Sequence, residues 1–540
     1  MHAVSRVPTP TNEPVLSYAP GTPERVALKA ALAELASTRT EIPLRIDGRP
    51  VATGRIDEVR CPHRHALVVA DCHQASAAEV DRAIAGALAA APAWAELPFD
   101  ARAAVFLRAA DLLAGPFRAR INAATMLGQS KTCHQAEIDA ACELVDFLRW
   151  NVAFARRILE DQPGSAPGTW NRADYRPLEG FVLAVTPFNF TAIGGNLPTA
   201  PALMGNVVLW KPAHAAMLSN HLVMELLVAA GLPPGVIQLV PGPPAEVADR
   251  ALGHLALAGV HFTGSTAVFQ QIWRTVGERI ARYRTYPRLV GETGGKDFIL
   301  AHASADVDAL ATAIVRGGFE YQGQKCSAAS RIYVPRSIWP AVRERAVAMT
   351  QEIRVGDVAD FGHFMGAVID QRAFDRISSY QALAKKEGRV LAGGGGSAAE
   401  GYFIEPTLVE LDDPRHRLMS EEIFGPVVSI FVYADASWTD TLALVDQTSA
   451  YALTGAIFAQ DRGVLEQAQR ALRNAAGNLY LNDKPTGAVV AQQPFGGARG
   501  SGTNDKAGSL WNLVRWTSPR TIKETFDAPR HFGYPFLREP

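Results

Sequence analysis

From Leu178 onward, short apolar runs alternate with helical stretches, and this rhythm limits the fold more than any other feature of the 540-residue chain. Strands are expected over 180–185, 207–210, 236–240 and 259–262. Between the second and third, Leu218, Leu222 and Leu226 share a helix face with Val223 and Leu227, and Gly231-Leu-Pro-Pro stops that helix. Alternation at these lengths predicts a parallel sheet covered by helices, the doubly wound α/β class, whose ligands sit outside the carboxyl ends of the strands. A second alternating run begins near Arg288 and continues past Cys326 to about Phe495.

Before Leu178, residues 77–151 read as helices, with Ala83, Ala87, Ala90 and Ala91 in one Ala-rich stretch. Leu107, Ala110, Leu112 and Leu113 follow a break at Pro98. Four glycines at 393–396 read as a loop before a strand over 402–409. The tail over 511–525 alternates like an edge strand and, with a hairpin expected around 170–177, suggests a small element for subunit pairing. The expected division is 1–160 and 179–290 for a dinucleotide domain with its helices, 291–496 for a catalytic domain, and 161–178 with 497–540 for an oligomerisation element.

Fifty-three Lys and Arg against 54 Asp and Glu leave a formal charge of -1, so neither nucleic acid nor an anionic membrane is an expected partner. The most apolar stretch, 192–210, is broken by Pro198, Pro201 and several glycines. The first twenty residues carry Pro and polar side chains where a secretory signal needs an apolar run, and lack an Arg-rich import pattern, so the cytoplasm is the expected compartment. Five cysteines in so long a chain make no disulfide framework. Cys61, His63, His65, Cys72 and His73 match no common zinc spacing and fall in a stretch, 59–69, that reads as a strand; no metal is expected.

Three residues stand out for chemistry. Cys326, in Gly323-Gln-Lys-Cys-Ser, follows a glycine turn beside Lys325 and near an expected helix start, where backbone N–H groups favour a thiolate. Glu292, in Gly291-Glu-Thr-Gly-Gly-Lys, is a carboxylate among small residues at a strand end, where partial desolvation moves it toward general-base use. Asn189, in Thr186-Pro-Phe-Asn-Phe, has an amide able to donate to an oxyanion, or to serve ordinary turn chemistry.

Together with Trp210-Lys-Pro, Phe262-Thr-Gly-Ser, Glu421-Glu-Ile-Phe-Gly-Pro and Pro494-Phe-Gly-Gly, these segments resemble the aldehyde dehydrogenase superfamily in order and spacing from about residue 80 to 525. The resemblance implies a Rossmann-type dinucleotide domain, an α/β catalytic domain and a small β oligomerisation element. It further implies that Cys326 attacks an aldehyde, that Asn189 and the Cys326 N–H hold the oxyanion, and that Glu292 activates water against the thioester. Lys211 corresponds to the lysine at the adenosine ribose, Gly264 and Ser265 to the pyrophosphate turn, Thr186, Pro187 and Phe188 to the nicotinamide end, and Glu422 with Phe424 to its ribose. The implied cofactor is NAD, with NADP also open: three residues after Lys211 stands His214, where NAD-preferring members often carry a Glu that would repel a 2′-phosphate.

Finer motifs resemble the branch of the family that oxidises glutamate semialdehyde: Asn189-Phe-Thr-Ala-Ile-Gly-Gly-Asn, Phe319-Glu-Tyr-Gln-Gly-Gln-Lys-Cys-Ser, Leu479-Tyr-Leu-Asn-Asp-Lys-Pro-Thr-Gly, Gln492-Gln-Pro-Phe-Gly-Gly-Ala-Arg, Ser501-Gly-Thr-Asn-Asp-Lys and Asn12-Glu-Pro-Val. There the backbone at Gly487 and Ala488 would meet the substrate carboxylate, Ser327 would add a hydroxyl, and Phe495 would pack on the aliphatic part. Glu143 would meet the ammonium or make a structural ion pair. Another small aldehyde or semialdehyde is the alternative substrate. The resemblance also implies a homodimer or higher homo-oligomer.

Overall fold

Two seven-stranded sheets organise the chain, seen in a computed structural model that describes residues 5–538. The outermost residues of the two terminal ranges expected above, 1–4 and 539–540, lie outside the described residues. In the first sheet the order is Arg288–Glu292, Leu257–Thr263, Phe181–Val185, Val207–Lys211 and Ile237–Leu239, all parallel, followed by the antiparallel pair Leu44–Ile46 and Arg49–Val51. Each expected strand over 180–262 is present within a residue or two of its bounds. The reason is visible in their packing. Val182, Ala184, Val208 and Trp210 enter one core, whereas Phe181, Leu183, Val207 and Leu209 enter the core on the opposite face. A strand buried on both faces must be apolar throughout, and that makes it conspicuous in sequence. The chain reverses its march across the sheet between Phe181–Val185 and Leu257–Thr263, which opens a crevice at their carboxyl ends.

The second sheet runs Arg389–Ala392, Thr407–Leu411, Val427–Tyr433, Ala329–Pro335, Asp297–Ala301, Thr454–Phe458 and Asn478–Leu481, parallel except for the first edge strand. Asp297–Ala301 follows Glu292 after four residues, so the two sheets meet directly at the residues singled out for chemistry.

After the helix Pro23–Ser37, the main helices of the N-terminal part are Ala77–Glu96, Phe99–Ala114, Arg118–Gln129 and Glu143–Glu160. Ala77–Glu96 begins at a reciprocal cap in which the Ser76 hydroxyl accepts from the backbone and the Glu79 carboxylate accepts from the Ser76 N–H. Before Glu143 the chain widens into a π-helical turn over Glu137–Cys142, a rare geometry concentrated at functional places. Sequence periodicity does not register it.

Two local expectations are corrected. The stretch 511–525 is not one edge strand: Leu510–Val514 is helical and only Ser518–Thr525 is extended. Residues 170–177 do not form a local hairpin either, because Thr169–Arg176 pairs antiparallel with Ser518–Thr525 from the far end of the chain. Alternation reports an extended chain but not its partner. The Cys61 region is a hairpin, Ile56–Cys61 with Arg64–His73, whose tip buries His63. Cys61 Sγ lies 3.1 Å from His63 Nε2, and the other ring nitrogen meets Ser130 Oγ at 3.0 Å. Among the described residues no helix is long and apolar enough to cross a membrane.

Candidate active site

Cys326 sits in a turn between a short 3-10 segment, Glu320–Gly323, and the strand Ala329–Pro335; the expected helix start is absent. The approach is unusual. Tyr321, Gln322 and Gly323 are all left-handed, with φ of 52°, 54° and 64°. At Gly323 a side chain would meet the Gly425 carbonyl oxygen at 2.5 Å, so only glycine fits. The two preceding residues are held by their surroundings: Gln322 Nε2 donates to Ser130 O at 3.0 Å and Ala367 O at 2.8 Å, and the Tyr321 ring carries Lys131 Nζ 4.0 Å from its centre.

Lys325 does not serve the thiol as the sequence suggested. Its ammonium lies 3.5 Å from Asp139 Oδ2 and 3.7 Å from Glu320 Oε2. The thiol is pushed well above its usual range, chiefly by burial and then by Asp297, Glu292 and Glu422, while the Ser327 N–H opposes the rise. Without a positive charge brought in beside it, Cys326 is a neutral thiol, and a cationic ligand would be the natural trigger for its ionisation.

Glu292 ends the strand Arg288–Glu292 and is turned toward the segment after Phe495. Gly497 N–H donates to its Oε2 at 2.8 Å. Burial raises its carboxyl well above the ordinary range, against the pull of that N–H. Such a group can take a proton near neutral pH. Asn189 is buried, and its Nδ2 donates to Gln324 O at 3.0 Å, two residues before Cys326. That leaves the amide's second N–H for another acceptor. Fold and contacts therefore bring Cys326, Glu292 and Asn189 to one place.

The residues expected to hold a dinucleotide line the carboxyl ends of three neighbouring strands. Thr186 follows Phe181–Val185, Lys211 ends Val207–Lys211, and Gly264 follows Leu257–Thr263. Thr186 is fixed by donating its N–H to Lys211 O at 3.1 Å and by accepting from Trp210 Nε1 at 3.1 Å. Lys211 is buried, its ammonium meeting among the described residues only the Pro212 carbonyl at 3.5 Å, and burial lowers its pKa. A buried ammonium so poorly satisfied calls for a polar ligand. Ser265 caps the thirteen-residue helix Thr266–Glu278, accepting from Val268 N–H, which suits a phosphate. Across the crevice Glu422 accepts from Gly295 N–H at 2.9 Å, and Phe424 meets Phe188 edge-on at 5.9 Å between ring centres, with Pro187 buried beside it. A lysine, a helix N-terminus and a carboxylate in this order fit a dinucleotide with its phosphates and ribose hydroxyls. His214 is half-exposed, 3.1 Å from Glu58 O and 3.6 Å from the Asp57 carboxylate.

On the other side of Cys326 lies a cavity of about 210 Å³ lined by all five residues expected at the substrate: Ser327, Gly487, Ala488, Phe495 and Glu143. Ser327 Oγ and Thr486 Oγ1 are 2.8 Å apart, tying the residue after the nucleophile to the loop of Gly487. Gly487 has φ 95°, a conformation closed to other residues without strain, and its turn lines the cavity. Glu143 lines the cavity with its carboxyl raised well above the usual range by burial and by Asp139, against the pull of Lys131 and Lys325. It makes no ion pair among the described residues, so the alternative of a structural salt bridge is absent.

Sequence reasoning missed several lining residues: Asp139, Arg316, Glu320, Lys484 and Thr486. Asp139 stands four residues before Glu143, an acidic pair visible in the sequence, but Asp139 lies in the π-helical turn and Glu143 opens the helix after it. Asn12 and Glu13 also reach the rim. Asn12 Nδ2 donates to Asp146 Oδ2 at 2.8 Å and to Val490 O at 3.0 Å, and Glu13 pairs with Arg118 at 2.6 Å and Arg149 at 2.7 Å.

Comparison with known proteins bears on the same site. A sequence model described as "Aldehyde dehydrogenase family" matches residues 51–522. A delta-1-pyrroline-5-carboxylate dehydrogenase of Agaricus bisporus is 52% identical over 537 residues, covering 99% of this chain and 98% of the relative. The mouse enzyme of that name is 50% identical, covering 98% of this chain and 94% of its own. A crystal structure of the Mycobacterium tuberculosis delta-pyrroline-5-carboxylate dehydrogenase bound with NAD is 55% identical, with a TM-score of 0.97 and 100% of both chains covered. The mouse relative is named mitochondrial, as are those of Dictyostelium discoideum, cattle and human, and this overturns the expected cytoplasmic location. Charge and hydropathy describe a folded body and carry no mark of the aqueous compartment that holds it.

Proposed function

The chain belongs to the aldehyde dehydrogenase family, and from that membership we propose that it oxidises L-glutamate γ-semialdehyde, the open form of delta-1-pyrroline-5-carboxylate, to L-glutamate with NAD, the second step of proline catabolism. The observation that carries the substrate is the cavity beside Cys326. It offers a backbone turn at Gly487 and Ala488 with the Ser327 hydroxyl to a carboxylate, and the unpaired Glu143 to an ammonium. Phe495 lies along the aliphatic span between them. An aldehyde carrying both charges uses all these groups; propanal uses only the last.

Cys326 Sγ attacks the aldehyde carbon, and the resulting oxyanion is held by the free N–H of Asn189 and the backbone N–H of Cys326. NAD, when bound, supplies the hydride acceptor and a positive charge beside the thiol. Lys211, Gly264, Ser265, Glu422 and Phe424 hold it, with Thr186, Pro187 and Phe188 at its nicotinamide end. His214 in place of a carboxylate leaves NADP open as a second cofactor. The thiol gives up its proton as it attacks, and collapse of the oxyanion would break the C–H bond, with the hydride passing to the bound nicotinamide and the carbon left as a Cys326 thioester. Glu292 then takes a proton from water, the hydroxide adds to the thioester carbon, and the C–S bond breaks with the proton going to sulfur.

The proposed units are 1–160 with 179–290 for the cofactor, 291–496 for catalysis, and 161–178 with 497–540 for assembly. The unpaired outer edges of Thr169–Arg176 and Ser518–Thr525, with Trp170 and Phe526 exposed, suit pairing with a second copy.

The test is NADH formation with pyrroline-5-carboxylate, propanal and succinate semialdehyde in parallel. A kcat/KM at least about a hundredfold higher for the pyrroline compound is expected. A flat profile removes the substrate assignment and leaves the dehydrogenase. In the same assay Glu292→Gln should give one hydride per site and then stall.

A further inference from the structure

The run Ser501-Gly-Thr-Asn-Asp-Lys506 touches neither nucleophile nor cofactor in the mechanism above, yet it is wrapped around the strand end that carries Glu292. Thr503 N–H donates to Gly291 O at 2.8 Å, Gly291 N–H donates to Thr503 Oγ1 at 2.9 Å, and Thr293 N–H donates to Ser501 O at 2.8 Å. Within this wrap the backbone turns left-handed twice at non-glycine residues, Asn504 with φ 56° and Lys506 with φ 52°. Such turns persist only where the surroundings demand them. Their effect is to aim Lys506 inward. Its ammonium donates to Gly477 O at 2.8 Å, Asn478 Oδ1 at 3.2 Å and Gly496 O at 3.2 Å, which uses all three of its N–H groups. Asn478 closes the frame, donating to Pro494 O at 3.0 Å and accepting from Gly496 N–H at 3.3 Å. The next N–H along, that of Gly497, is the one that holds Glu292 Oε2.

We propose that Lys506 is a positioning residue for Glu292, fixing the turn at Gly496 and Gly497 on which the carboxylate rests and setting a buried positive charge on that side of the site. This rests on the reading of Glu292 as the water-activating base. The titratable groups facing Glu292 are Asp505, Lys506 and the neutral Cys326 thiol. Asp505 opposes Lys506 but is occupied by Thr503 Oγ1 at 2.5 Å and Arg515 at 3.4 Å. Lys506 favours the ionised carboxylate, and Asp505 disfavours it. The sign follows: Glu292 works when ionised, so turnover rises with pH through its titration. Loss of Lys506 moves that rise to higher pH, and loss of the Asp505 charge moves it to lower pH.

The experiment measures the hydride burst and steady-state turnover across pH for the whole enzyme and for Lys506→Met, Lys506→Arg, Asp505→Asn and Glu292→Gln. Expected for Lys506→Met are a burst within about twofold of normal, steady-state turnover down about tenfold at neutral pH, and a rise displaced upward by about one pH unit. Lys506→Arg restores most of the turnover, and Asp505→Asn displaces the rise the other way. A Lys506→Met profile superimposed on the parent, or burst and turnover reduced together, overturns the role of Lys506. If the methionine variant does not fold, an Asp505→Asn profile that fails to move downward overturns it instead. A Glu292→Gln enzyme with normal turnover removes the base assignment itself, which separates the two failures.

Discussion

The cofactor crevice and the substrate cavity meet at Cys326 but are built by opposite means. The crevice is made by strand ends that are neighbours in one sheet, and its groups come mainly from short stretches at 186–188, 211, 264–265 and 422–424. Its polar equipment is sparse: one lysine, one helix N-terminus and one carboxylate. The cavity draws on the N-terminal segment, the π-helical turn, the helix after Asn189, the nucleophile turn and the loop of Gly487, and is crowded with charges of both signs. A dinucleotide can be recognised by a fold; a small zwitterion has to be recognised by a constellation.

If that contrast holds, substitutions on the two sides should separate cleanly in KM. The largest effect belongs to the residue both sides share. Cys326→Ala should lower acid formation by more than about a thousandfold while NAD affinity, measured by fluorescence titration, stays unchanged. Retained turnover would falsify the thioester route.

Next comes the cavity. Ala488→Leu should raise KM for the semialdehyde about tenfold and leave propanal within about twofold, because bulk there obstructs the turn at Gly487. Equal losses for both aldehydes would show that the loop does not discriminate. Glu143→Gln should raise the semialdehyde KM about fivefold with kcat retained; an unchanged KM would return Glu143 to the scaffold.

On the cofactor side Lys211→Met should weaken NAD about fivefold without moving the semialdehyde KM. The smallest change, Ser265→Ala, removes one helix cap, worth about 1 kcal/mol, and should weaken NAD by no more than about threefold. A substrate KM that moved with either variant would mean the two halves are coupled rather than separate.

The same contrast explains what could be read from sequence. Strands buried on both faces announce themselves, so the first sheet and its crevice were legible nearly to the residue. Cys326, Glu292 and Asn189 could be singled out because each lies in a short motif whose turn geometry needs those neighbours. Asp139, Thr486 and the pairing of Lys325 were not, because their meaning comes from contacts across long stretches of chain. The Ser327 and Thr486 hydroxyls, for instance, are separated by 159 residues. The supposed helix start at Cys326 failed for a local reason. Three left-handed residues in a row turn the chain more tightly than any helix entry, and only one of them is a glycine to signal it.

That turn also bears on how the molecule comes into being. Non-glycine residues in the left-handed region cost about 1–2 kcal/mol each, and here the compensating bonds reach from Gln322 back to Ser130, 192 residues away, and forward to Ala367, 45 residues away. Contacts so distant in sequence form late in folding. A chain still emerging or half collapsed therefore carries Cys326 as an ordinary thiol on a relaxed loop. Asn189 and Glu292 are brought to Cys326 only when those contacts close, so the capacity to oxidise an aldehyde arrives with the finished molecule.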